Sequence, residues 1–132
     1  MTCWYHPRMQ ATRIFDEAMS AAGEMSADGV PKTAPFQQYA EPAAFTGLLA
    51  GAGLTDTGTE QVEWRHEVDP DQWWTDVVEG TARTAAVIAR LDADASRRVK
   101  KEYDQIIDPL RRSDGRVSLA ASALLAIGTR PR

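Results

Sequence analysis

Two histidines, one cysteine, a few tryptophans and scattered carboxylates are the residues of this chain that could do chemistry. His6 follows the strand-like opening Met1-Thr2-Cys3-Trp4-Tyr5 and precedes Pro7. In open α/β sheets ligands gather outside the carboxyl ends of parallel strands. If Met1 to Tyr5 is such a strand, His6 lies at that edge. Imidazole titrates near neutrality, so His6 there is a candidate catalytic base or substrate hydrogen-bond donor. Otherwise it is a loop histidine with no chemical role. Trp4 and Tyr5 are either walls of the same substrate pocket or core aromatics. Trp73 and Trp74 are adjacent on a helical pattern and cannot face the same way. One packs inward, and the other lines a substrate cavity or an interface. Arg83 can pair with an acidic substrate or form a surface salt bridge.

Other chemistries lack their residues. His66 falls on the apolar face of a strand, the place of a satisfied core histidine. The two histidines and Cys3 show no metal-ligand spacing, so no metal site is expected. Cys3 reads as a small buried hydrophobe rather than a nucleophile. Glu60, Glu63 and Glu67 share the wet face of one strand and do not converge as an acid pair. Neither a serine nucleophile elbow nor a phosphate-binding loop is present.

These residues must be positioned by 132 residues, enough for one domain with a real core. The net charge is −4 and the basic residues are scattered, which argues against a nucleic-acid surface. A single cysteine permits no internal disulfide, and no hydrophobic signal region follows Met1. The expected location is therefore cytoplasmic, with no membrane partner.

The segment from Asp114 to Gly128 reads as a strand covered on both faces: an Asp-Gly turn signal followed by a nearly uncharged run rich in Val, Leu and Ile. It needs a neighbour, and Thr59 to Val68 supplies one. There Val62, Trp64, His66 and Val68 alternate with Gln61, Glu63, Arg65 and Glu67, the pattern of a half-buried strand with one wet face. Ahead of this pair, an apolar stripe of Met9, Ile14, Phe15, Ala18 and Met19 predicts a helix over 8–22. An ordered loop over 26–41 follows, anchored in the core by Phe36 and Tyr39. Pro42 opens a second helix through Ala50, with Phe45, Leu48 and Leu49 inward. Between the two strands, Asp69-Pro70 caps a helix over 71–79, and Thr81 caps another through Arg90. A longer helix carries Val99, Tyr103, Ile106, Ile107 and Leu110 at helical spacing. Its opposite face, with Arg97, Arg98, Lys100, Lys101 and Glu102, reads as solvated.

The order of these phrases resembles the C-terminal portion of class I S-adenosylmethionine-dependent methyltransferases, the type 11 or ubiquinone/menaquinone-biosynthesis-like group acting on small molecules. Met1-Thr2-Cys3-Trp4 is similar to the tail of that family's fifth strand. Phe36-Gln37-Gln38-Tyr39-Ala40-Glu41-Pro42 and Leu48-Leu49-Ala50-Gly51-Ala52-Gly53-Leu54 resemble the stretches leading into the sixth strand. Gln72-Trp73-Trp74 falls in the helical insertion, and Asp114-Gly115-Arg116-Val117-Ser118-Leu119 leads into an antiparallel final strand. The likeness spans essentially the whole chain.

The resemblance implies an α/β chain, a partial Rossmann-like fold of one domain over 1–132. It would comprise the end of strand five, cap helices, and antiparallel strands six and seven around a helical insertion at about 70–112. It also implies methyl transfer by in-line displacement from S-adenosylmethionine to a small-molecule acceptor, with Trp4, Tyr5, His6, Trp73 and Trp74 facing the substrate. The family's glycine-rich loop after the first strand, whose backbone approaches the cofactor, has no counterpart. No residue here is therefore expected to bind the cofactor, and the chain alone is expected to be inactive. The sequence reads as a separated part of a larger fold, with a cofactor-binding half elsewhere or with self-association at an exposed sheet edge. A non-catalytic binding or dimerisation module, with Trp73 and Trp74 as its interface, is the alternative.

Overall fold

The computed structural model describes all residues from Met1 to Arg132. It contains three strands, β1 (Thr2–Trp4), β2 (Thr55–Val68) and β3 (Val117–Thr129). Five helices accompany them: α1 (Gln10–Ala21), α2 (Pro42–Gly51), α3 (Pro70–Gly80), α4 (Arg83–Ile88) and α5 (Ala93–Ile107). The strands form one antiparallel sheet in the order β1-β3-β2. This is mixed α and β structure, with the last strand central as its apolar run requires. The residues cluster into two compact units, one of 1–9, 33–64 and 120–132, the other of 10–32 and 65–119.

In the first unit β1 lies against β3 with Thr2 opposite Leu125, Cys3 opposite Leu124 and Trp4 opposite Ala123. Its hydrogen-bonded neighbour is therefore antiparallel, and His6 does not end a strand that is paired in parallel. Paired residues share a face, so Cys3 sits with Leu124 while Thr2 and Trp4 sit with Leu125 and Ala123. Helix α2 covers the first of these faces. Pro42 occupies its first turn, where the missing N–H costs nothing. Phe45 and Leu49 then pack on Leu124 and Ala126, with Cys3, Tyr5, Tyr39, Leu48 and Leu54 around them. Burying a side chain such as Phe45 contributes about 1.5–3 kcal/mol. A hydroxyl contact of 2.8 Å between Thr46 and Thr59 ties the helix to β2. The chain turns away from the helix at Gly53, whose φ of +84° suits a residue without a Cβ.

Buried Ser122 is satisfied within the same unit. Its hydroxyl donates to the Val62 carbonyl at 3.2 Å and accepts from the Gln61 amide at 3.2 Å. The other sheet face corrects the sequence reading. Val62 and Trp64 alternate as a half-buried strand should, yet they are 44% and 39% exposed. Trp4 lies 6.0 Å from Trp64 by ring centroid and is itself half exposed. Alternation shows which side chains share a face, and a face becomes core only where another layer covers it. Phe36, expected as a core anchor, is likewise exposed.

In the second unit α1 packs against α5. Ile14, Phe15, Ala18 and Met19 are buried on α1, and Val99, Tyr103 and Ile107 on α5. Helix α1 begins at Gln10 rather than residue 8, because Pro7 sets a separate 3-10 turn over His6–Arg8. Helices α3 and α5 start at true caps: the Asp69 carboxylate accepts from the N–H of Asp71 and Gln72, and that of Asp92 from Ala95. Those backbone bonds, that of Gln72 foremost, hold the Asp69 carboxyl below its ordinary range. Helix α4 starts at Arg83, later than expected; the Thr81 hydroxyl donates to the Val77 carbonyl at 2.8 Å and accepts from the Ala85 N–H at 3.4 Å.

Candidate functional site

Of the residues singled out by the sequence, Trp4, Tyr5 and His6 belong to the first unit and Trp73, Trp74 and Arg83 to the second. What the first unit offers is a cavity of about 540 Å³ beside β1. Met1, Thr2, Cys3, Trp4 and Ala123 supply its sheet side. Phe36, Tyr39, Phe45 and Leu48 supply the opposite side. Local sequence places these walls. Pro35 starts a 3-10 turn over Pro35–Tyr39, locked by a bond from the Ala34 N–H to the Gln37 side chain at 3.2 Å. That turn brings Phe36 and Tyr39 round on one side, and α2 presents Phe45 and Leu48 one turn apart.

No charged side chain lines the cavity. Its polar groups are the hydroxyls of Thr2 and Tyr39 and the thiol of Cys3. Burial pushes the Cys3 thiol up from its ordinary value, so it is a poorer source of thiolate than a free cysteine. The arrangement suits an apolar, planar guest with one or two hydrogen-bonding groups, and its walls carry neither a carboxylate nor an imidazole.

Of the expected substrate residues, Trp4 lines this cavity. Tyr5 packs into the small core under α2. His6 stands half-buried at the start of the 3-10 turn over His6–Arg8, and only its carbonyl is engaged, by the N–H of Met9 at 3.1 Å. Trp73 and Trp74 belong to the second unit and are part of its aromatic packing. Trp74 stacks on Phe15 at 5.8 Å and lies 5.1 Å from Tyr103. The Trp73 indole donates to the Ala11 carbonyl at 2.8 Å, and His66 meets its ring edge-on at 4.8 Å. Lys100 sits over Trp74 and Tyr103 at 5.7 and 5.6 Å. Burial opposes its charge, but hydrogen bonds to Asp104 and Asp71 outweigh that and raise its pKa. Arg83 pairs with Asp16 at 3.5 Å and donates to the Met25 carbonyl at 2.9 Å. Glu63 pairs with Arg8 at 3.0 Å, and Glu67 with Arg112 at 2.5 Å.

Apart from Trp4, no cavity residue was assigned to a site by the sequence; on the side opposite the sheet these are the two pairs Phe36 and Tyr39, Phe45 and Leu48. Their signal was the i, i+3 spacing of the two pairs, which equally describes core packing. Among the glycines of the first unit, Gly47 lies within α2, Gly51 ends it, and Gly53 follows it at a φ of +84°. None stands in a turn from strand to helix, where backbone amides would reach a cofactor. A comparison of the chain with models of known families and with curated proteins finds no match to either.

Proposed function

We propose that this chain forms the substrate-side wall of a small-molecule methyltransferase fold, a partial Rossmann-like arrangement that is inactive by itself. The observation that supports it best is the strand order β1-β3-β2 with its antiparallel centre. Strands β1 and β2 then run in one direction with a reversed strand between them, and a helical excursion from α3 to α5 joins β2 to β3. That is the arrangement the resemblance implies for the end of such a fold. The uncharged cavity beside β1 adds a place for the methyl acceptor. Methyl transfer asks the protein chiefly for positioning and removal of water, which apolar walls provide. S-adenosylmethionine would be held elsewhere, since the family's glycine-rich loop has no counterpart in the sequence.

Two titrations test the reading. S-adenosylhomocysteine added to the purified chain should give no binding heat, and micromolar binding would overturn the division of labour. The neutral phenol 2-naphthol should quench tryptophan fluorescence through Trp4, and Leu48→Glu, placing a charge in the wall, should weaken that quenching about tenfold or more. Quenching unaltered by this substitution would remove the cavity from the proposal.

A further inference from the structure

Two tyrosines of this chain use their hydroxyls differently. The Tyr103 phenol, fully buried, donates to the Pro70 carbonyl at 2.7 Å. A tyrosine that packs out of water usually finds such a partner. Tyr39 is half-buried, and its ring packs against the cluster of Phe45, Leu49, Leu124 and Ala126. Its hydroxyl nevertheless forms no hydrogen bond within the chain. The backbone beneath it is fixed by the 3-10 turn over Pro35–Tyr39, closed by the Ala40 N–H on the Gln37 carbonyl at 3.1 Å. The ring is therefore held while its polar end is left free, and Tyr39 is one of the residues lining the cavity beside β1.

We infer that the Tyr39 hydroxyl is the group by which this cavity selects its guest. It hydrogen-bonds an oxygen carried on the guest's ring, and so favours an oxygen-bearing aromatic compound over a hydrocarbon of the same shape. The inference rests on the reading of the cavity as the acceptor site and names the class of compound it takes. The other polar groups there are less suited to the task. Thr2 is exposed, so a bond made by its hydroxyl replaces one to bulk water and discriminates little. The Cys3 thiol is a weak donor and a weak acceptor. The Met1 ammonium is already bonded to the Ala126 carbonyl at 2.9 Å. A phenol both donates and accepts, so it serves a ring-bound hydroxyl and a ring carbonyl alike. Trp4, Phe36 and Phe45 supply aromatic surface for the ring itself. A hydrocarbon seated against Tyr39 strips water from the hydroxyl and returns no bond, which is the penalty that makes a polar group selective.

The test compares two guests on two proteins. 2-Naphthol is followed by quenching of tryptophan fluorescence. 2-Methylnaphthalene, with a methyl group in place of the hydroxyl, is followed by its displacement of 2-naphthol. Tyr39→Phe should weaken 2-naphthol about three- to tenfold and leave 2-methylnaphthalene as tightly bound as before or more so. Its thermal midpoint should not move, because the deleted hydroxyl holds nothing within the chain. The ratio of the two affinities is read on each protein, so a change in the folded fraction cancels. Leu48→Glu, which alters the wall rather than the hydroxyl, should weaken both guests. A ratio unchanged by Tyr39→Phe, with both guests still sensitive to Leu48→Glu, would overturn this inference and leave the cavity reading standing. Absence of 2-naphthol binding, or binding indifferent to Leu48→Glu, would overturn both.

Discussion

Removing the hydroxyl of Tyr103 should change both the stability of the second unit and its response to alkali. The Tyr103 ring is fully buried, 5.0 Å from Phe15, and its hydroxyl donates to the Pro70 carbonyl at 2.7 Å. Tyr103→Phe keeps the ring contacts and deletes one buried hydrogen bond, a loss of about 1–2 kcal/mol near neutral pH. Burial above all, then the nearby Asp104 and Asp71 carboxylates, pushes the phenol well above its ordinary value. That ordinary value is about 10. The sign follows from proton counting. Above pH 10 the unfolded chain releases the phenolic proton while the folded chain keeps it, so the unfolded state binds fewer protons and stability falls as pH rises. The contribution is intact below pH 10 and falls by about 1.4 kcal/mol per unit above it, until the folded phenol also ionises. Tyr103→Phe lacks this term. Urea unfolding of both proteins from pH 7 to 11.5 should show a gap of about 1–2 kcal/mol that closes near pH 11 and then reverses. Taking the difference between the two proteins cancels the lysines and the other tyrosines. A gap that stays constant to pH 11.5 would mean that the phenol is not held away from water, and the aromatic packing described around it would be wrong.

The remaining predictions concern backbone-level features. Asp92→Ala removes the cap from the Ala95 N–H, bonded at 2.7 Å, and should cost about 1 kcal/mol, readable as a lowered urea midpoint with unchanged slope. Glycines at two positions should respond in opposite directions. A Cβ at Gly128 would stand 3.0 Å from the Leu54 Cβ and 3.1 Å from the Thr57 methyl, so Gly128→Ala should destabilise by about 1–3 kcal/mol. At Gly47, inside α2, a Cβ meets nothing within 4 Å, and Gly47→Ala should stabilise by about 0.5–1 kcal/mol. Thermal unfolding of the two variants decides both, and equal shifts of one sign would contradict the packing at Gly128.

The elements themselves were legible because they are written in local terms. Proline after aspartate at 69–70 starts α3, the 3.6-residue stripe of Val99, Tyr103 and Ile107 makes α5, and the uncharged run after Gly115 makes the central strand. Boundaries shifted where two local signals competed. Pro7 diverted the chain into a 3-10 turn before α1, and the Thr81 hydroxyl is shared between the Val77 carbonyl behind it and the Ala85 N–H in α4. Burial was less legible than periodicity. Val62 and Trp64 alternate like core residues and are exposed, whereas Ser122, a polar residue, is fully buried because Val62 and Gln61 satisfy it.

The candidate site shows the same limit more sharply, for a reason of chemistry. Trp73 and Trp74 were singled out as an adjacent pair of which one would pack inward and the other line a cavity or an interface, yet an indole leaving water needs a partner for its N–H simply to pack. The Ala11 carbonyl supplies it for Trp73, so the handle there serves packing. Cavities are instead made where packing stops, and no motif marks that. The walls at Phe36, Tyr39, Phe45 and Leu48 come from a 3-10 turn and a helix, and the floor from a strand far away in sequence. Only the β1–β3 register brings them together. The same register turns Thr2 and Trp4 outward, so the cavity and the open edge share one cause: β1 has a neighbour on one side only. Whatever occupies that edge must therefore also reshape the cavity.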